Sequence, residues 1–367
     1  MKHFSEILFL RSTDLKFDTR SERALNNFNR QGDYVSVVAW DRQELGIKIF
    51  DNTASIPFVM RATVGAGWRN FFNLIKFNSF IFKTIRKLRP RLIYACDLDT
   101  ALIASVCSRM WKIPLVYDQF DSYESRLKNR HLQKLIFKIE SYVMRNANLT
   151  IFASEERKRK VKLSKSYVID NCPDRQAIRD LSRVVDRSII FAGILLKNRL
   201  LESTLNWVED NPQISLTVAG FGPLEELVRE KERNVNINFI GALPNSDIID
   251  QISFNSLCLA VYDPSDPNNE TAAVNKVFES AIAGVPLVAA KGTSTGEIVE
   301  QWGIGWTITY GHQGDLLEVI EKRSKMRDLE FETLWKNMDG LLFQAKKWQN
   351  QDTLNSEIKN FLVKNEI

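Results

Sequence analysis

Short apolar runs alternate with helix-period segments along almost the whole chain, and a chain patterned this way buries its strands between layers of helices. The first instance is a βαβ unit. Ile7 to Arg11 reads as a strand, Ser21 to Arg30 as a helix with Ala24, Leu25 and Phe28 on its apolar stripe, and Tyr34 to Ala39 as a second strand after the turn at Gly32. Further strands are expected at Leu92–Ala95, Leu115–Tyr117, Leu149–Ala153 and Tyr167–Ile169, with helices over Thr100–Trp111 and His131–Asn146 between them. A second series follows at Ser188–Ala192, Ile214–Ala219, Ile237–Ile240, Leu257–Val261 and Val285–Ala290. At 367 residues the chain exceeds one small core and fits two doubly wound α/β domains. The expected division is 1–175, 186–330 and a helical end at 331–367. The polar, helix-like segment Arg175–Arg187 carries the boundary.

Charge is unevenly spread. Residues 1–170 hold 30 lysines and arginines against 17 acids, and the remainder holds 20 against 28. A basic first half suits an anionic partner. The segment Trp68–Leu88 sharpens that expectation, since phenylalanines and isoleucines interleave there with Arg69, Lys76, Lys83, Arg86 and Lys87. Such a helix either rests in a membrane interface or turns a broad stripe to the core. Arg157-Lys158-Arg159-Lys160 reads as an exposed helix face. No nucleic-acid motif occurs, and no nucleic-acid partner is expected. The scattered Cys96, Cys107, Cys172 and Cys258 read as reduced thiols of a cytoplasmic protein. With three histidines and no ligand spacing, no metal site is expected.

The stretch from Asn268 to Gly305 carries the most specific pattern. A helix is read from Ala273, Val274, Val277, Phe278, Ala281 and Ile282, ending at Gly284. Asn275, Lys276 and Glu279 fall on its side away from the apolar stripe. Its N-terminus offers free N–H groups and a positive dipole end, a natural seat for an anion such as a diphosphate. On spacing alone, Lys276 and Glu279 read first as an ordinary i,i+3 surface pair.

Asn275-Lys276-Val277-Phe278-Glu279, then Ala281, Ala283-Gly284 and Pro286, then Gly296-Glu297-Ile298-Val299 and Gly303-x-Gly305, resemble the donor-binding half of family-4 retaining glycosyltransferases. Val218-Ala219-Gly220-x-Gly222-Pro223 resembles another part of the same half. The resemblance implies a GT-B fold: two Rossmann-like, parallel-sheet domains facing a cleft, with a C-terminal helix crossing back to the first. It implies that Glu279 holds the ribose of a nucleotide sugar, and that Gly193, Lys197, Arg199 and Gly220 lie at the donor diphosphate, with Asn275 and Lys276 beside them. A second family glutamate, eight positions earlier, corresponds to Thr271, with Glu270 one residue away. A family histidine near the reacting sugar corresponds to Phe120, which leaves Asp97, Asp118 and Asp121 as polar candidates in the first domain. Lys197, Glu270 and Asp121 are the catalytic candidates.

The activity so implied is transfer of a sugar from a nucleotide-diphosphate sugar to an acceptor hydroxyl, with no cofactor or divalent metal required. The acceptor is expected to be a glycan or a lipid-linked sugar, in bacterial surface polysaccharide or glycolipid assembly. The expected location is the cytoplasm, with peripheral contact at an anionic membrane. Two other readings fit the same pattern: a nucleotide-sugar epimerase or phosphorylase, and a non-catalytic partner subunit.

Overall fold

The computed structural model describes residues 7–13, 15, 18–42, 53–62, 71–121, 123, 129–173, 175–266, 269, 275–348 and 351–364. The chain forms two units. One comprises the residues up to Asp170 together with those from Trp348 onward, and the other runs from Asn171 to Lys347.

The first unit contains β1 (Ile7–Arg11), α1 (Thr19–Arg30), β2 (Val35–Asp41), β3 (Thr53–Val59), α2 (Phe71–Leu88), β4 (Leu92–Cys96), α3 (Asp97–Trp111), β5 (Leu115–Gln119), α4 (Arg130–Asn146), β6 (Leu149–Phe152), α5 (Glu155–Arg159) and β7 (Ser166–Val168). Among the described residues its sheet has seven strands, all parallel, in the order β3-β2-β1-β4-β5-β6-β7. Alternation along β1 sorts the core. Leu8 and Leu10 enter one cluster with Phe77, Ile81 and Ile85 of α2, Ala101 and Ala104 of α3, and Val143 of α4. Ile7 and Phe9 enter the other, against Leu25 and Phe28 of α1. Helices therefore cover both faces, as a parallel sheet requires.

The second unit contains β8 (Val185–Ile194), α6 (Leu201–Glu209), β9 (Ser215–Phe221), α7 (Glu225–Lys231), β10 (Ile237–Gly241), α8 (Asn245–Ser253), β11 (Asn255–Ala260), α9 (Asn275–Ala283), β12 (Leu287–Ala290), α10 (Ser294–Trp302), β13 (Gly305–Ile308), α11 (Gln313–Ser324) and α12 (Asp328–Trp348). Among the described residues six parallel strands run in the order β10-β9-β8-β11-β12-β13. Strand order reverses between β8 and β11, and ligands of open α/β sheets bind outside the carboxyl ends at such a switch point.

Several expectations change. A strand that the sequence pattern does not mark, β3, stands at the edge of the first sheet, paired among the described residues with β2 alone. Arg175–Arg187 forms no α-helix: it holds one 3-10 turn, Leu181–Arg183, and its last residues begin β8. Ile178 N–H donates to the Ile282 carbonyl at 2.6 Å, and the Arg179 guanidinium binds the Ala281 carbonyl and Asp339, so residues 178 and 179 are held against the C-terminal end of α9. The helical end divides. Phe331, Leu334, Met338, Leu341 and Leu342 of α12 enter the core of the second unit. Only α13 (Gln351–Lys364) returns to the first, where Leu354 and Ile358 join Leu25 and Phe28 and Asn355 bonds Asn27 at 2.6 Å. Among the described residues no helix is long and apolar enough to cross a membrane. All four cysteines are free and buried.

Candidate functional site

The switch point of the second unit gathers most of the donor-side candidates. β8 and β9 end in register, with Gly193 opposite Gly220. Both take positive φ, and a Cβ on Gly220 would stand 1.8 Å from the Gly193 carbonyl oxygen. Only glycine fits there, and the strand ends stay open to a ligand. The chain then makes a single 3-10 turn, Lys197–Arg199, before α6. Lys197 is exposed and makes no hydrogen bond or ion pair with a described residue. Arg199 lies 4.4 Å over the ring of Tyr262, just past β11. Asn198 fastens the two loops: its carbonyl accepts from Asp263 N–H at 3.0 Å and its amide donates to Asp266 at 2.8 Å.

Below these loops lies α9. Glu279 is 1% exposed. That differs from the expectation of a polar side, because α9 is covered by α8 as well as by the sheet. Glu279 accepts from Lys276 on one oxygen and from Asn245 Nδ2 at 2.6 Å on the other. Burial alone would lower the Lys276 ammonium, but the charge and hydrogen bond of Glu279 outweigh it, so Lys276 stands above its ordinary value and stays protonated at neutral pH. Burial pushes the Tyr262 hydroxyl up against the opposing pull of Arg199 and Lys276, and pushes the Cys258 thiol on β11 up to about 12. Asn275 at the start of α9 keeps a buried Oδ1 with no hydrogen-bond partner among the described residues. The N-terminus of α10 is held against β12, since a Cβ on Gly296 would stand 2.4 Å from the Ala290 carbonyl, and Thr293 Oγ1 caps it by accepting from Gly296 N–H at 3.1 Å.

Gly193 and Gly220 are thus brought side by side, and Arg199 lies over Tyr262, whose hydroxyl also feels the charges of Lys276 and Glu279. Lys197 begins the same turn as Arg199. Glu270 and Thr271 lie outside the described residues. Sequence reasoning missed Tyr262, Asn198 and Asn245. A position just past a strand at the switch point signals Tyr262, whereas Asn245, at the start of a helix, looks like any helix-start residue.

Asp121 belongs to a different cluster, at the carboxyl ends of β1, β4 and β5 in the first unit. Asp97, at positive φ, accepts from Arg11 at 2.5 Å and from the backbone N–H groups of Phe120 and Asp121 at 2.9 and 3.0 Å. Asp118 accepts from Arg20 at 2.7 Å and from the Tyr94 hydroxyl at 2.6 Å. Arg11 and Arg20 lie 4.2 and 5.1 Å from the Phe120 ring centroid, so the residue aligned with the family histidine is a buried spacer between two guanidiniums. Asp97 and Asp118 are buried and committed to these bonds, while the Asp121 carboxylate is half-exposed, 3.7 Å from Arg157. Arg157 corrects the reading of its charge run as an exposed face, since it is buried and donates to the Phe120 carbonyl. Among the described residues no group of three or more His, Cys, Asp or Glu gathers to hold a metal.

Neither a protein-family model nor a curated protein sequence matches the chain. Solved structures do. HepE from Anabaena, in complex with UDP, aligns with a TM-score of 0.67 and 17% identity over 96% of this chain and 100% of its own. Sucrose-phosphate synthase from Thermosynechococcus elongatus aligns with a TM-score of 0.70 and 14% identity, covering 97% and 99%. WaaG, a glycosyltransferase involved in lipopolysaccharide biosynthesis, aligns with a TM-score of 0.66 and 12% identity, covering 91% and 95%. The two parallel-sheet units and these likenesses define the fold as GT-B.

Proposed function

We propose that this protein is a retaining glycosyltransferase that uses a nucleotide-diphosphate sugar, with UDP as the carrier. One observation carries the reading. A fully buried glutamate, Glu279, is held by Lys276 and Asn245 beneath the switch-point loops that bear Arg199 and Lys197. A carboxylate fixed in this way accepts two ribose hydroxyls, and the two cations with the open glycine strand ends accept a diphosphate. The UDP and UDP-glucose complexes of HepE support the choice of base.

In the reaction, the bond from the anomeric carbon to the diphosphate oxygen breaks and a bond to the acceptor oxygen forms on the same face. The acceptor proton passes to the departing diphosphate. Lys197 and Arg199 stabilise the charge that develops there. Asp121 and Glu270 stand as candidates for contact with the transferred sugar. A glycan or lipid-linked acceptor in bacterial surface polysaccharide or glycolipid assembly fits the basic first half of the chain.

The test is transfer from a panel of UDP-sugars, with the anomer of the product read by NMR. Glu279→Ala and Lys197→Ala are each expected to cut turnover by about 100-fold or more with the fold intact. Wild-type turnover by both variants overturns the assignment. The buried Phe120 in place of a polar group favours one second reading, a nucleotide-binding subunit without turnover of its own. UDP binding by calorimetry with no transfer to any acceptor would select it.

A further inference from the structure

The outer side of the α2–α3–α4 layer is apolar where water should make it polar. Helix α3 packs between α2 and α4, and all three turn one side to the same face of the first sheet. Yet α3 also presents Leu102, Val106 and Met110 outward, at i, i+4 and i+8, with Met110 57% exposed. Beside them α4 exposes Leu135, and α2 exposes Phe72 at 74%. Nine of the sixteen large exposed apolar side chains among the described residues lie on these three helices. The stripes adjoin: Phe82 of α2 meets Trp111 of α3 at 5.4 Å, and Arg109 of α3 donates to the Tyr142 hydroxyl of α4 at 2.5 Å.

The charge on the same helices has one sign. They carry nine lysines and arginines, every one exposed. Their acids are Asp97, Asp99 and Glu140. Asp97 and Glu140 are buried, and Asp99 accepts from Ser12 at 2.7 Å. An apolar surface ringed by cations, with no open carboxylate, complements an anionic lipid headgroup layer over acyl chains. A second copy fits poorly, because two such faces repel. A nucleic acid fits poorly because leucine, valine and methionine, not aromatic rings, fill the centre of the face.

We infer that the α2–α3–α4 face docks the protein on an anionic bilayer, with Phe72, Met110 and Leu135 entering the interface and Lys134 and Lys138 meeting headgroups. The inference stands apart from the donor assignment. The test is co-sedimentation of the full chain with vesicles of phosphatidylcholine alone and of phosphatidylcholine mixed equally with phosphatidylglycerol, each at low and high salt. Binding is expected only with the anionic lipid, and to fall as salt rises. Lys134→Glu with Lys138→Glu should lower it by about tenfold or more. Met110→Ser with Leu135→Ser should lower what remains at high salt. Circular dichroism melting and UDP calorimetry, unchanged in both variants, separate this result from a folding or donor-site defect. Equal binding to both vesicle types, no binding to the anionic ones, or binding insensitive to both variants overturns the inference. So does a dimer that dissociates on Met110→Ser, which would assign the face to a second copy.

Discussion

Asn245 Nδ2 donates to Glu279 Oε1 at 2.6 Å, so the start of α8 fixes the carboxylate at the heart of α9. The other oxygen faces Lys276. The carboxylate is therefore oriented before any ligand arrives, and the residue that orients it lies 34 positions away in the chain.

Replacing Asn245 with alanine leaves a buried carboxylate one donor short. A hydrogen bond to a charged group contributes about 1.5–3 kcal/mol. Asn245→Ala is expected to weaken UDP binding by about tenfold while Asn245→Gln recovers part of it, measured by calorimetry. Unaltered affinity would detach Asn245 from the donor site.

At Gly220 even one methyl group is too many. Its Cβ would sit 1.8 Å from the Gly193 carbonyl oxygen, so β8 and β9 must part at their carboxyl ends. Gly220→Ala is expected to cost about 3 kcal/mol of stability in urea unfolding, with UDP binding lost in the remaining folded fraction. A fully stable variant that binds UDP would show that the strand ends are not held this closely.

Burial raises the Asp170 carboxyl from 3.8 to about 6, against the lowering pull of Arg20 and Arg23. A group whose folded value is raised binds its proton more tightly when folded. The folded state is therefore penalised as pH climbs from about 4 to about 6 and beyond. The full shift corresponds to about 3 kcal/mol, and water around a part-exposed carboxyl leaves about 1–2 kcal/mol of it. Asp170→Asn should raise the melting temperature at pH 7.5 and leave it unchanged relative to the parent at pH 4. A gain at both values, or at neither, contradicts the shift.

Leu354 and Ile358 are the apolar anchors of α13 in the first core, at 3% and 2% exposure. Truncating either to alanine opens a cavity that costs about 2–4 kcal/mol. Urea unfolding should show that loss in the first unit, with the second unit unmoved.

Much of this was legible in the chain. Leu92–Cys96 and Leu149–Phe152 are largely apolar because parallel strands are covered on both faces, and the sequence pattern places them to within a residue. By contrast, β3 is an edge strand with Pro57 and half-buried residues, so it lacks that signature. Asp118 and Gln119 are polar and fall past the expected end of the strand at Tyr117. They end β5, where Arg20 and Tyr94 donate to Asp118 and the Gln119 amide donates to Glu140 in the interior, and those partners lie elsewhere in the sequence. The same holds for Arg157, whose burial depends on the Phe120 carbonyl 37 residues away. At the candidate site, glycines and cations at strand ends could be read locally. The burial of Glu279 could not, because it depends on α8 packing against α9.

The return of α13 makes the first unit discontinuous, with the whole of the second spliced between its sheet and its last helix. A ribosome releases the seven strands of that sheet long before the helix that seals one of their faces. The nascent first unit must therefore wait, with Leu25 and Phe28 incompletely covered, until the second has been made. Maturation of the two halves is coupled by the order of synthesis, and a chaperone that shields an open apolar face would act in that interval.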